Sequence, residues 1–260
     1  MENSIIENIA KKLIEAKKRH YSIEPISDIY PEITVSDAYE IQEKQVKYEI
    51  SRNHKVIGKK IGLTSHAMQS MMNIGEPDFG HLFDDMLVEE GNEIKLETLI
   101  SPMVEGEIAF ILKEDLKGPG ITSKDVDNQT LGISPAIEII DSRIKDWKIK
   151  IQDTIADNAS SGLFVVSKQI TTIKSVDLRS IKLSLFKNGS IISDSVASVV
   201  LGNPSNAVAW LANKMAEFGV YLKKNDIILS GSLVKAEPVK KGDNFSAIFD
   251  TLGSVTCTFS

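Results

Sequence analysis

A chain with one cysteine, Cys257, cannot form an internal disulfide, and that scarcity fits a reducing compartment. No stretch approaches the ~20 consecutive apolar residues of a membrane span. The opening segment MENSIIENIAKKLIEAKKRH lacks the roughly 7–15-residue apolar centre of a signal peptide. The expectation is therefore a soluble cytoplasmic protein with no membrane partner. Positive charge is also short, since 30 Lys and Arg face 36 Asp and Glu, for a formal charge of −6. The two signs are interspersed, and without a basic stripe nucleic acid is a poor partner. The four histidines, His20, His54, His66 and His81, show no paired spacing, so each reads as a surface or packing residue. Internal repeats and low-complexity segments are missing as well. What is present is 260 residues, 42% of them hydrophobic, with a mean hydropathy of −0.07. That suffices for a sizeable core in one large domain, or a main domain with a smaller appendage.

Ile5, Ile6, Ile9, Leu13 and Ile14 recur at helical spacing, with Lys11, Lys12, Lys17 and Lys18 on the remaining surface. After the Pro-containing link EPISDIYPEI, Thr34 and Asp37 have the spacing of a capping box. They open a second helix carrying Ala38, Ile41 and Val46. From about Lys55 short apolar runs alternate with Gly, Asp, Asn and Pro, the texture of strands and turns. A later helix is bounded by Asn203 as N-cap, Pro204 at its first position and Gly219 at its end. Val208, Leu211, Ala212, Met215 and Phe218 form its expected buried stripe. Strands are expected through Ile227–Leu229, Phe245–Phe249 and Val255–Phe259. The class is α+β.

Within VEGEIAF, residues 104–110, two carboxylates interrupt an apolar run. As a strand, this stretch turns Glu105, Glu107 and Ala109 to one face and Val104, Ile108 and Phe110 to the other. The two acids then stand roughly 7 Å apart, and like charges that close disfavour each other's ionisation. A divalent cation between them removes the conflict. In SPAIEIIDSRI, Glu138 interrupts a second apolar run in the same way. If the two strands are neighbours, three carboxylates converge. The bland alternative is a set of solvated or lysine-paired acids, the usual fate of charged residues on a strand. All-carboxylate ligation favours Mg²⁺ or Mn²⁺ over zinc. Asp141 is expected on the opposite face from Glu138, paired with Arg143.

Five strings in order, GKKIGLTS (58–65), GEPDFGHLFDDM (75–86), EGEIAFILKEDLKGPG (105–120), EIIDSRIKDWKIKIQDTIADNASSGLFV (138–165) and LGNPSNAVAWLANKMAEFG (201–219), extend over most of the chain. Together they resemble the 2-oxopent-4-enoate (2-hydroxypenta-2,4-dienoate) hydratases of the fumarylacetoacetate hydrolase superfamily. The resemblance implies a mixed β-roll or barrel-like fold with helices around it; with the pattern above, the expectation is an N-terminal helical layer over residues 1–54 and a metal-binding catalytic domain over residues 55–260. It implies Mg²⁺ or Mn²⁺ on Glu105, Glu107 and Glu138, and homo-oligomeric assembly. Lys60 and Asp78 match active-site residues, as lysine and acid/base. Ser161, in the DNASSG loop, matches a position that hydrogen-bonds ligand oxygen, although some relatives carry cysteine there.

The implied reaction is hydration of a short 2-hydroxy-dienoate, or its 2-oxo tautomer, to 4-hydroxy-2-oxopentanoate in aromatic meta-cleavage catabolism. The sister activity, 2-oxohex-3-enedioate (4-oxalocrotonate) decarboxylation, shares the metal site, and such a decarboxylase is also a candidate partner. A C–C hydrolase of the superfamily fits less well, for want of a histidine placed as its base. From another class, a non-catalytic metal-containing scaffold subunit stands against the intact Lys60 and Asp78.

Overall fold

A computed structural model of the chain describes every residue except His66, Met68 and 71–73; the reading of His66 lies outside the described residues. Two long helices open the chain, Asn3–Arg19 and Val35–Ser51. The first buries Ile6, Ile9, Ala10, Leu13 and Ala16. The second starts on the expected capping box: Thr34 Oγ1 accepts from Asp37 N at 3.1 Å and Asp37 Oδ2 accepts from Thr34 N at 2.9 Å. Among the described residues, no helix is long and apolar enough to cross a membrane.

The strands are β1 (Val56–Gly62), β2 (Asp78–Phe83), β3 (Leu87–Val88), β4 (Glu93–Ile94), β5 (Pro102–Leu112), β6 (Thr130–Asp141) and β7 (Ser161–Val166). They continue as β8 (Lys182–Lys187), β9 (Ser190–Val196), β10 (Ile227–Leu229), β11 (Glu237–Pro238), β12 (Asn244–Phe249) and β13 (Gly253–Phe259). One sheet runs β2-β1-β10-β5-β6-β7-β3, with β11 paired to β5, and a second runs β4-β13-β12-β8-β9.

Alternation along β5 assigns the two faces of the larger sheet. Val104, Ile108 and Phe110 join Leu183, Leu185 and Phe245 of the second sheet in the main core. At Gly106 on the same face, a Cβ would meet Leu183. The other face carries Glu105, Glu107 and then Ala109, which belongs to a smaller apolar cluster with Leu82, Met86, Ala136, Phe164 and Leu229. The acids therefore sit on the inner face of a sheet that is covered on both sides.

The helix Pro204–Glu217 begins as expected, with Asn203 Oδ1 accepting from Ser205 N at 3.0 Å. Phe218 departs from expectation. It is the C-cap, 48% exposed, because the helix has ended before its side chain can join the buried stripe. Its ring lies against Tyr39 and Phe79, at centroid distances of 5.2 and 6.1 Å.

Double coverage also buries two consecutive lysines, Lys59 and Lys60, which alternate to opposite faces of β1. Lys59 Nζ donates to Gly58 O at 3.3 Å. Burial lowers its pKa from 10.5 to about 8, against the opposing pull of Asp226. The folded state thus binds fewer protons than the unfolded chain between about pH 8 and 10.5, and stability rises with pH across that window. Below it the penalty is complete. Lys59→Met is expected to stabilise the protein at pH 7 by on the order of 3 kcal/mol, and the gain should fade as pH passes from 8 to 10.5. Denaturant unfolding at several pH values measures this, and a gain that is constant with pH contradicts it.

Candidate active site

The register of β5 and β6 settles where the three glutamates stand. Glu105 lies directly opposite Glu138, and Glu107 opposite Ala136. Cross-strand partners share a face, so Glu105, Glu107 and Glu138 converge, each with a carboxylate oxygen within 4.8 Å of the others'. Glu107 and Glu138 are fully buried, whereas Glu105 is partly exposed at the rim.

Each acid is held differently. Glu107 Oε2 accepts from Gly231 N at 2.7 Å. Gly231 has φ +110, and a Cβ there would stand 2.2 Å from Thr64 Oγ1, so that donor requires glycine. Glu138 Oε1 is 3.3 Å from Lys60 Nζ, yet neither Glu138 oxygen makes a hydrogen bond. Lys60 Nζ donates instead to Ala159 O at 2.9 Å.

Lys60 pairs with Gly80, and Gly62 with Asp78, which brings Lys60 and Asp78 to one face. Asp78 is buried, and its Oδ2 accepts from Thr154 Oγ1 at 3.2 Å. Its Oδ1 has no partner and lies 2.1 Å from where a Cβ of Gly62 would be.

Burial is the leading influence on all four acids, and each is pushed up. Glu105 rises to about 7 through burial and the neighbouring Glu138. Glu107 goes well above the carboxylate range through burial, Glu138 and Glu105. Glu138 and Asp78 rise through burial against the opposing charge of Lys60. Burial depresses Lys60, but Glu138, Glu105, Asp78 and Glu107 outweigh it and raise its pKa. One ammonium thus faces four carboxyl groups, three of them buried.

That excess of negative charge, the oxygen-only donor set and the two Glu138 oxygens without a hydrogen bond fit a hard divalent cation such as Mg²⁺ or Mn²⁺. Buried polar atoms without a hydrogen bond are rare enough to require a cause, and a cation held by Glu105, Glu107 and Glu138 would supply one.

One sequence expectation changes. Arg143 does not pair with the Asp141 carboxylate, which instead accepts from the backbone N–H groups of Ile100 and Ser101. The Arg143 guanidinium turns to Asp157, because the chain folds Asp157 back beside it. Ser161, buried at the start of β7, commits its hydroxyl proton to Asn158 O at 2.8 Å, leaving its oxygen only as an acceptor. The sequence did not point to Gly231, Thr154 or the Ala159 carbonyl. Two of these act through backbone atoms, which residue type does not reveal.

The pattern of the family described as fumarylacetoacetate (FAA) hydrolase C-terminal matches residues 48–260. The chain is 44% identical over 261 residues to a 2-hydroxyhexa-2,4-dienoate hydratase of Comamonas testosteroni, spanning 100% of this chain and 99% of that one. It is also 44% identical over 221 residues to a 2-hydroxypent-2,4-dienoate hydratase of Pseudomonas putida, 85% of this chain and 100% of the relative. Among solved structures, 4-oxalocrotonate decarboxylase from Pseudomonas putida G7, complexed with magnesium and adipate, superposes with a TM-score of 0.97 at 33% identity. That match covers 100% of this chain and 99% of the other.

Proposed function

The chain belongs to the fumarylacetoacetate hydrolase family, and from that premise we propose that it is a hydro-lyase converting 2-hydroxypenta-2,4-dienoate to 4-hydroxy-2-oxopentanoate in aromatic meta-cleavage catabolism. The observation that carries this reading is the position of Lys60 and the buried Asp78 on the face that gathers Glu105, Glu107 and Glu138. The reading includes a cytoplasmic homo-oligomer.

Glu105, Glu107 and Glu138 would hold Mg²⁺ or Mn²⁺, which when bound supplies Lewis-acid polarisation of 2-oxo acid oxygens. The rest of the chemistry falls to side chains. The dienol is ketonised by loss of its hydroxyl proton and protonation at C5. Water then adds its oxygen to C4 and C3 receives a proton. Asp78 is the acid and base assigned to these transfers. Burial raises its pKa above the usual carboxylate range and so favours the protonated form, and Thr154 orients its carboxyl. Lys60 stays protonated and neutralises the substrate carboxylate or the negative charge that develops on the enolate oxygen. Ser161, acting only as an acceptor, orients a substrate hydroxyl or the attacking water.

The likeness to a decarboxylase structure favours a second reading, release of CO₂ from 2-oxohex-3-enedioate. Asp78 beside Lys60 suits proton relay, and the relatives at 44% identity are named hydratases, so hydration is the better fit. The purified protein with Mg²⁺ is expected to bleach the dienol absorbance of 2-hydroxypenta-2,4-dienoate, yield 4-hydroxy-2-oxopentanoate and release little CO₂ from the dicarboxylate. Rapid CO₂ release without hydration transfers the assignment to the decarboxylase. No turnover of either compound supports a scaffold subunit.

A further inference from the structure

The segment Asn158, Ala159 and Ser160 has φ values of 52, 52 and 51. Three successive non-glycine residues in the left-handed region are each sterically disfavoured, and such a turn persists only where its surroundings over-determine it. The restraint comes from behind. Arg143 Nε donates to Asp157 Oδ1 at 2.5 Å and Nη1 to Ser161 O at 2.8 Å; Nη1 also reaches Asp141 O, and Nη2 donates to Asp157 O. One guanidinium thus holds the residues immediately before and after the left-handed turn. Asp157 is held in return by Arg143 N at 3.0 Å. A second clamp ties the turn to β2, through His81 N to Asn158 Oδ1 at 2.8 Å and Asn158 Nδ2 to His81 O at 2.9 Å.

The turn delivers one atom to the site. Ala159 O accepts from Lys60 Nζ at 2.9 Å, while Glu138 stands 3.3 Å from the same ammonium. In a right-handed or extended trace that carbonyl points elsewhere, and Lys60 loses its hydrogen-bond acceptor.

We propose that Arg143 is a positioning residue for Lys60, acting through the left-handed turn at 158–160 and the Ala159 carbonyl. It touches none of Glu105, Glu107 or Glu138 among its hydrogen bonds. The planar fork of arginine is what lets one side chain satisfy acceptors on both sides of the turn. A lysine ammonium cannot span them. The role rests on the hydratase reading for its catalytic consequence, but the coupling of Arg143 to Lys60 does not.

The test is a double-mutant cycle over Arg143→Lys and Lys60→Met, together with ¹⁵N-lysine spectra of the full-length protein. Arg143→Lys is expected to lower kcat ~10-fold or more with KM little changed, and to have no further effect in the Lys60→Met background. The slowly exchanging Lys60 ammonium signal, assigned by its loss in Lys60→Met, should vanish in Arg143→Lys. Multiplicative losses, or a retained ammonium signal, overturn the proposal. If Arg143→Lys does not fold, Asp157→Asn carries the same expectations. Loss of the signal in a protein that turns over no dienoate refutes the hydratase reading and leaves the coupling standing.

Discussion

Chelation is expected to abolish turnover of 2-hydroxypenta-2,4-dienoate, and added Mg²⁺ or Mn²⁺ to restore it. Glu107→Gln should do the same without removing the residue's shape. Its amide oxygen can still accept from Gly231 N, the contact that Glu107 makes at 2.7 Å, so the fold survives while one anionic ligand is lost. The pH dependence follows from the metal-free acids. Glu105 rises from 4.5 to about 7, so across that interval the folded metal-free protein binds more protons than the unfolded chain, and its stability falls as pH rises. A cation replaces those protons. Its stabilising effect should therefore grow between pH 5 and 7.5, reaching about 2.7 kcal/mol when free metal is 100 times its Kd. Calorimetric melting with and without Mg²⁺ reads this directly. Full activity after exhaustive chelation, or metal stabilisation that shrinks with rising pH, removes the proposed site.

Lys60→Ala should leave the three carboxylates able to take up metal, yet lower kcat roughly 10²–10³-fold, the loss typical when a preorganised charge stabiliser is deleted. Removing the ammonium takes away the opposing charge beside Glu138, 3.3 Å away, so metal affinity should rise or hold rather than fall. Asp78→Asn is expected to give a comparable fall in kcat for another reason, loss of a transferable proton, and to erase the limb of the kcat–pH profile that Asp78 produces. The two variants are thus separable by their pH profiles. Wild-type kcat in both, at saturating metal, would make Lys60 and Asp78 structural residues.

The parts of this site that were legible in the sequence owe their visibility to local alternation. Glu105 and Glu107 announce themselves as charges where a covered strand carries apolar residues, and Glu138 repeats the anomaly. The helix starts at Thr34 and Asn203 are likewise written in neighbouring residues. What could not be read depends on distant or backbone atoms. The Gly231 N–H reaches Glu107 across 124 positions. Arg143 prefers Asp157 to the nearer Asp141 because of a left-handed turn that nothing in DNASSG specifies. Of two identical adjacent lysines, the family resemblance singled out Lys60, while the burial of Lys59 follows only from both sheet faces being covered.

The pairing of Glu105 with Glu138 has a consequence for how the site comes into being. Its three acids lie on two antiparallel neighbours, and a slip of one position along either strand would turn one strand's acids toward the opposite core. The complete cluster does not exist in the unfolded chain, where Glu107 and Glu138 are separated by thirty-odd residues. The chelating geometry appears only when β5 and β6 have found their alignment. During refolding, the onset of cation uptake would therefore time-stamp the moment at which that alignment is reached, and misaligned intermediates would be silent to metal.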